Sequence, residues 1–121
     1  MANILLTEDD ASMRGFVAGA LERAGHRVTC CADGNEALAR LEAENADFQL
    51  LLTDIVMPVM DGIELSTRAS ILHPDLKIMF LTGFAAMAAG KTDIRNPAMR
   101  VISKPFHLGS LIDEVNKLLD A

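Results

Sequence analysis

Four short stretches of this chain end in residues suited to handling a phosphoryl group: Glu8-Asp9-Asp10, Asp54, Thr82 and Lys104-Pro105. Each follows an apolar run, respectively Ile4-Leu5-Leu6, Leu50-Leu51-Leu52, Ile78-Met79-Phe80-Leu81 and Val101-Ile102. If those runs are parallel strands of one sheet, the four ends meet at its carboxyl edge, where open α/β sheets bind their ligands. Asp9, Asp10 and Asp54 then bring carboxylates, Thr82 a hydroxyl and Lys104 an ammonium. Neighbouring carboxylates repel, and a bound cation relieves that repulsion. Magnesium suits such a site, because it takes oxygen ligands and keeps waters beside a phosphate. An aspartate between a metal and a lysine can act as a nucleophile and form an aspartyl phosphate.

Each residue taken alone has a blander explanation. Asp9 or Asp10 could cap the following helix, and Asp54 could start a turn, although Met57-Pro58 and Asp61-Gly62 already supply turn chemistry. Lysines are mostly solvated, and threonine suits strands. Joint placement at four strand ends favours the chemical reading.

The elements that must position these residues alternate along the chain. Asn3 to Thr7 reads as a strand, followed by a helix capped by Asp10 or Ser12. That helix carries an apolar stripe of Met13, Phe16, Val17, Ala20, Leu21 and Ala24 and is stopped by Gly25. Arg27 to Cys31 is a second strand. Asp33-Gly34 opens a second helix with Ala37, Leu38 and Leu41 inward. Leu50 to Thr53 is a continuous apolar strand, expected where both sheet faces are covered. Gly62 starts a third helix with Leu65, Ala69 and Leu72 inward, and Pro74 ends the connection. Lys77 to Leu81 and Arg100 to Ser103 are the last two strands. Phe84 to Pro97 predicts a short or irregular fourth helix, since glycine and proline interrupt its alanines. The last helix carries Leu108, Leu111, Ile112, Val115, Leu118 and Leu119 on one face. This alternation predicts right-handed crossovers and a doubly wound, five-stranded parallel sheet of the flavodoxin-like (βα)5 kind.

At 121 residues the chain predicts one domain, 1–121, large enough for a core without staples. A net charge of −6 argues against nucleic acid or an anionic membrane as a direct partner. Cys30 and Cys31 are neighbours on a strand, so they point to opposite faces and share neither a disulfide nor a metal. Reduced thiols, no signal peptide and no apolar run long enough to span a bilayer predict a cytoplasmic protein.

The segments Leu6-Thr7-Glu8-Asp9-Asp10, Leu52-Thr53-Asp54-Ile55-Val56-Met57-Pro58-Val59-Met60-Asp61-Gly62, Leu81-Thr82-Gly83 and Ser103-Lys104-Pro105-Phe106 together resemble a response-regulator receiver domain along the whole chain. The resemblance implies strand order 2-1-3-4-5, Asp54 as phosphoacceptor and Thr82 and Lys104 as phosphoryl contacts. It implies Mg²⁺ held by Asp9, Asp10, Asp54 and the Val56 backbone carbonyl, and a cis Lys104-Pro105 bond. A histidine kinase or histidine phosphotransferase would be the donor. The domain would catalyse only its own phosphorylation and dephosphorylation and would exist as a monomer or weak homodimer. Receivers often carry an aromatic three residues before the lysine; here Val101 stands there, so the usual ring rotation cannot operate. Val56 and Phe84 occupy the positions that commonly tune hydrolysis, and both are apolar, which predicts slow loss of the phosphoryl group. Phe84, Phe106 and His107 are the expected partner surface. Within the family, Asp54-Ile-Val-Met-Pro, Thr82-Gly-Phe-Ala-Ala and Ser103-Lys-Pro-Phe-His-Leu resemble stand-alone receivers of alphaproteobacteria. That implies a phosphorelay end point regulating the ClpXP protease, through ClpX, with the unphosphorylated form as the active adaptor.

Two alternatives fit less well. A haloacid-dehalogenase-like phosphatase would want an acid two residues after the nucleophile, where Val56 stands. A flavodoxin-like FMN carrier would want hydroxyls or glycines after the first strand, where this chain has carboxylates.

Overall fold

Three of the helices begin in the same way. In a computed structural model that describes residues 2–82, 99–103 and 107–120, Asp10, Asp33 and Asp61 each adopt extended backbone. Each accepts a hydrogen bond from the amide three residues on: Met13 at 3.0 Å, Glu36 at 2.8 Å and Glu64 at 2.8 Å. A side-chain acceptor there satisfies one of the amides a helix start leaves unpaired. The helices that follow are α1 (Ala11–Arg23), α2 (Gly34–Glu42) and α3 (Gly62–Leu72), and a C-terminal helix spans Leu108–Asp120. α1 ends at Gly25, whose φ is 97°. The His26 amide bonds back to the Leu21 carbonyl at 3.1 Å, the long-range bond of a glycine-terminated helix.

The strands are β1 (Asn3–Thr7), β2 (Arg27–Cys31), β3 (Leu50–Asp54), β4 (Lys77–Thr82) and β5 (Met99–Ser103), all parallel, in the order β2-β1-β3-β4-β5. The chain leaves β1 for one side of the sheet and returns to the other at β3. The topological switch point therefore lies between β1 and β3, where Thr7 pairs with Thr53.

Strand residues alternate between two apolar layers. Leu5, Cys31, Leu51, Ile78 and Phe80 face α2 and α3 and pack with Ala37, Leu41, Leu65 and Ala69. Ile4, Leu6, Leu50, Leu52, Met79 and Leu81 face α1 and the C-terminal helix, meeting Val17, Leu21, Leu111, Val115 and Leu118. Covering on both faces explains why β3 is buried at every residue. Cys30 is exposed and Cys31 buried, as opposite faces require, and burial pushes the Cys31 thiol up to about 12.

Two positions expected to face inward do not. Phe16 is 65% exposed, because Val17, Ala18 and Leu21 set the inward direction of α1 and Phe16 lies about a third of a turn away. Leu72 is 42% exposed. α3 ends there, and the His73 ring turns inward instead, donating from Nε2 to the Leu41 carbonyl at 2.7 Å. The fourth helix expected between Phe84 and Pro97 lies outside the described residues.

Candidate acidic site at the carboxyl edge

Strand register decides which residues meet. Thr7 ends β1 opposite Thr53, Asp54 ends β3 opposite Leu81, and Thr82 ends β4 opposite Ser103. Glu8 follows β1 directly and is held by its amide to the Cys31 carbonyl at 3.1 Å. Its side chain is wholly buried, while Asp54 is 7% exposed and Asp9 is exposed. Carboxylate oxygens of Glu8, Asp9 and Asp54 all lie within 4.8 Å of one another. At that separation each ionised pair repels by roughly 1 kcal/mol in a water-like medium and several times that when desolvated. The donor set is oxygen only, and it opens to solvent on the Asp9 side, which fits a hard divalent cation such as Mg²⁺.

This set differs from the expected one by a single residue. Asp10 does not join the cluster: its Oδ1 accepts from the Met13 amide, and its own amide reaches back to Glu8 Oε2 at 3.4 Å. The third carboxylate comes from Glu8. Three consecutive acids cannot all turn toward one point when the third must cap a helix. The cap pattern was present in the sequence, since Asp10 stands three residues before Met13 as Asp33 and Asp61 stand before Glu36 and Glu64. The capping alternative expected for Asp10 is the one the structure takes.

The loop after Asp54 is built tightly. The Ile55 amide bonds to the Leu81 carbonyl at 3.1 Å, and the Gly62 amide returns to the Ile55 carbonyl at 2.7 Å. A Cβ at Gly62 would collide with the Asp54 carbonyl and stand 2.9 Å from Ile55 Cα. Only glycine lets α3 start so close beneath the acid. Met57 and Met60 are buried while Val56 and Val59 are 56% and 88% exposed. Val59 has a φ of 71°, and the Met60 amide closes a three-residue γ-turn onto the Pro58 carbonyl at 2.8 Å. Val56 thus lies at the same edge, two residues beyond Asp54.

Of the other expected site residues, Thr82 is the last residue of β4, with its backbone at this edge. Lys104, Phe84 and Phe106 lie outside the described residues. His107 is exposed at the start of the C-terminal helix; its carbonyl accepts from Leu111 at 3.0 Å and its Nδ1 from the Gly109 amide at 3.3 Å. One residue that the sequence did not single out also touches the site. Arg14, on the first turns of α1, donates from Nη1 to the Glu8 carbonyl at 2.7 Å.

A parallel sheet with this strand order and acids at its switch point defines a receiver. The chain belongs to the response regulator receiver domain family, whose profile it matches over residues 4–116. It is 54% identical over 121 residues, covering 100% of this chain and 99% of its relative, to the response regulator receiver protein CpdR of Brucella abortus. It is also 33% identical to a part of the sensor kinase CckA of the same organism, covering 98% of this chain but only 13% of that kinase. Among solved structures, a response regulator receiver protein from Sinorhizobium medicae superposes with a TM-score of 0.88 at 28% identity, covering 99% of this chain and 95% of the other. Among the described residues, no helix is long and apolar enough to cross a membrane.

Proposed function

We propose that the protein accepts a phosphoryl group on Asp54 and signals through a protein-binding surface that changes with phosphorylation. The observation that carries this is the meeting of Asp54, at the end of a wholly buried strand, with Glu8 and Asp9 within 4.8 Å. An Asp54 carboxylate oxygen forms a bond to phosphorus as the bond from phosphorus to the donor's imidazole nitrogen breaks. The product is an acyl phosphate, and the nitrogen keeps the electron pair. Asp9, Asp54 and Glu8, with the Val56 carbonyl, would hold Mg²⁺, which when bound offsets charge on the phosphoryl oxygens. Asp9 faces solvent and is the first of these to meet an incoming cation, while buried Glu8 is fixed in place. Thr82 and Lys104 are assigned as contacts to the phosphoryl oxygens.

The donor in this reading is a histidine kinase or a histidine phosphotransferase, and catalysis extends only to the domain's own phosphorylation and dephosphorylation. The cytoplasm is the compartment such a donor implies. The likeness to CpdR over nearly the whole length of both chains supports an output by protein contact. The finer proposal is regulated proteolysis, with ClpX of the ClpXP protease as the partner.

Intact-protein mass spectrometry after treatment with acetyl phosphate tests the chemistry. Wild type should gain one phosphoryl group only with Mg²⁺ present, and Asp54→Asn should gain none. Equal labelling of the variant would sink the assignment. A pull-down of ClpX by wild type and Asp54→Ala, each with and without phosphodonor, tests the output. Binding that ignores phosphorylation counts against it.

A further inference from the structure

Glu8, Asp9 and Asp10 form a turn pinned at four points. The Glu8 amide is tied to Cys31 on β2, and the Asp10 amide to Glu8 Oε2. Asp10 Oδ1 is tied to Met13 on α1. The fourth tie is the Arg14 guanidinium on the Glu8 carbonyl at 2.7 Å, the shortest of the set. Arg14 is also anchored by its own backbone, since its amide bonds to the Asp10 carbonyl at 2.9 Å. The side chain therefore closes a ring in which α1 grips the peptide linking Glu8 to Asp9. That peptide determines where both carboxylates point. Arginine suits the task because its planar fork loses little freedom per bond formed.

We infer that Arg14 is a positioning residue for the cation site: by holding the Glu8 carbonyl it fixes the Glu8–Asp9 peptide and so sets the spacing of the Glu8, Asp9 and Asp54 carboxylates. This rests on the reading of those acids as a Mg²⁺ site. The charge of Arg14 and its hydrogen bond have opposite effects on cation binding. A positive charge near three carboxylates weakens cation binding through space, so its removal alone should strengthen binding. Loss of the clamp lets the peptide rotate and should weaken binding, as loss of outer partners does at other metal sites.

The sign of the change therefore decides. Mg²⁺ titrated into metal-free protein by calorimetry should bind Arg14→Met on the order of tenfold more weakly than wild type. Amide hydrogen exchange at Asp9 and Asp10, measured without metal, should be faster in the variant. Unchanged or tighter Mg²⁺ binding by a folded Arg14→Met overturns the proposal. If that variant fails to fold, Arg14→Ala decides: it removes the donor in a residue that favours helix, and unchanged or tighter Mg²⁺ binding there overturns the proposal equally. Failure of this inference is separable from failure of the phosphoacceptor reading, which is judged by acetyl phosphate labelling of wild type and Asp54→Asn.

Discussion

The two edges of the sheet are built from similar residue types and treat their polar groups in opposite ways. At the amino edge a cleft of about 840 Å³ is lined by His26, Gln49, His73, Lys77 and Asn116 among others. Its polar groups are largely matched. The Ala2 amide donates to His26 Nδ1 at 3.2 Å, so Nε2 carries the proton and donates to Asn116 Oδ1 at 3.0 Å. Gln49 Oε1 accepts from the Asn3 amide, and Asn3 Nδ2 donates to the Asp47 carbonyl. At the carboxyl edge, three carboxylates crowd within 4.8 Å. Thr7 Oγ1 is buried there without a partner among the described residues. Val59 is the one non-glycine residue among those described with positive φ. The open cleft is thus the quieter place. Function follows where like charges, an unmatched hydroxyl and a strained turn are concentrated, since each costs stability that packing alone gives no reason to spend.

The largest effect that would test this contrast comes from Gly62→Ala. The new Cβ must displace the Asp54 carbonyl or lift the start of α3, so a loss of about 3 kcal/mol in urea unfolding is expected. Acetyl phosphate labelling should fall with it. Retention of wild-type stability would mean the loop is not tight. The next effect is alkaline. The folded Cys31 thiol titrates at about 12 against an ordinary value of 9.0. Below pH 9 both folded and unfolded chains keep this proton, and the contribution of burial is fully present. Between pH 9 and 12 the unfolded chain loses it while the folded chain does not, so stability falls. Cys31→Val should flatten that part of the pH profile of unfolding, and an unchanged slope would assign the loss elsewhere.

A smaller effect is expected at the amino edge. His26→Leu removes the bridge between Ala2 and Asn116 and should cost about 1 kcal/mol. Labelling of Asp54 by acetyl phosphate should not change. A loss of labelling there would break the division between a structural and a chemical edge.

Much of this division was legible in the residues. β1 and β2 have the boundaries their apolar runs predict, and the amphipathic stripe of the C-terminal helix packs as its spacing requires. The candidate site was legible as a place, because short apolar runs ending in acids mark strand ends. Its membership was less so. Glu8 and Asp10 are both acids beside Asp9, and only the exact start of α1 decides which is buried at the site and which is a cap. Arg14 gave no signal, since a lone arginine on a helix carries no periodicity and its partner is a backbone carbonyl. Phe16 and Leu72 were misplaced for a related reason: spacing of three and four defines a stripe but not its edges, which packing against β1, β2 and the neighbouring helices sets.

A net effect of similar size, the difference of two opposed terms, separates strain from packing at the carboxyl edge. Val59 holds φ at 71° in a three-residue turn while 88% exposed. Its side chain therefore contributes little burial, and a β-branched residue there costs on the order of 1–3 kcal/mol of strain. Val59→Gly removes the strain but frees the unfolded chain, which returns about 0.5–1 kcal/mol in the other direction. The net expectation is a gain of about 1 kcal/mol in urea unfolding. The matching change at the amino edge is Asp75→Gly, in the exposed turn between α3 and β4, where φ is not positive. With no strain to relieve, that variant should lose stability. Opposite signs for the two glycines would show that strain is confined to the edge carrying the acids. A loss at both positions would mean that Val59 is held without cost, and the distinction between the edges would then rest on charge alone.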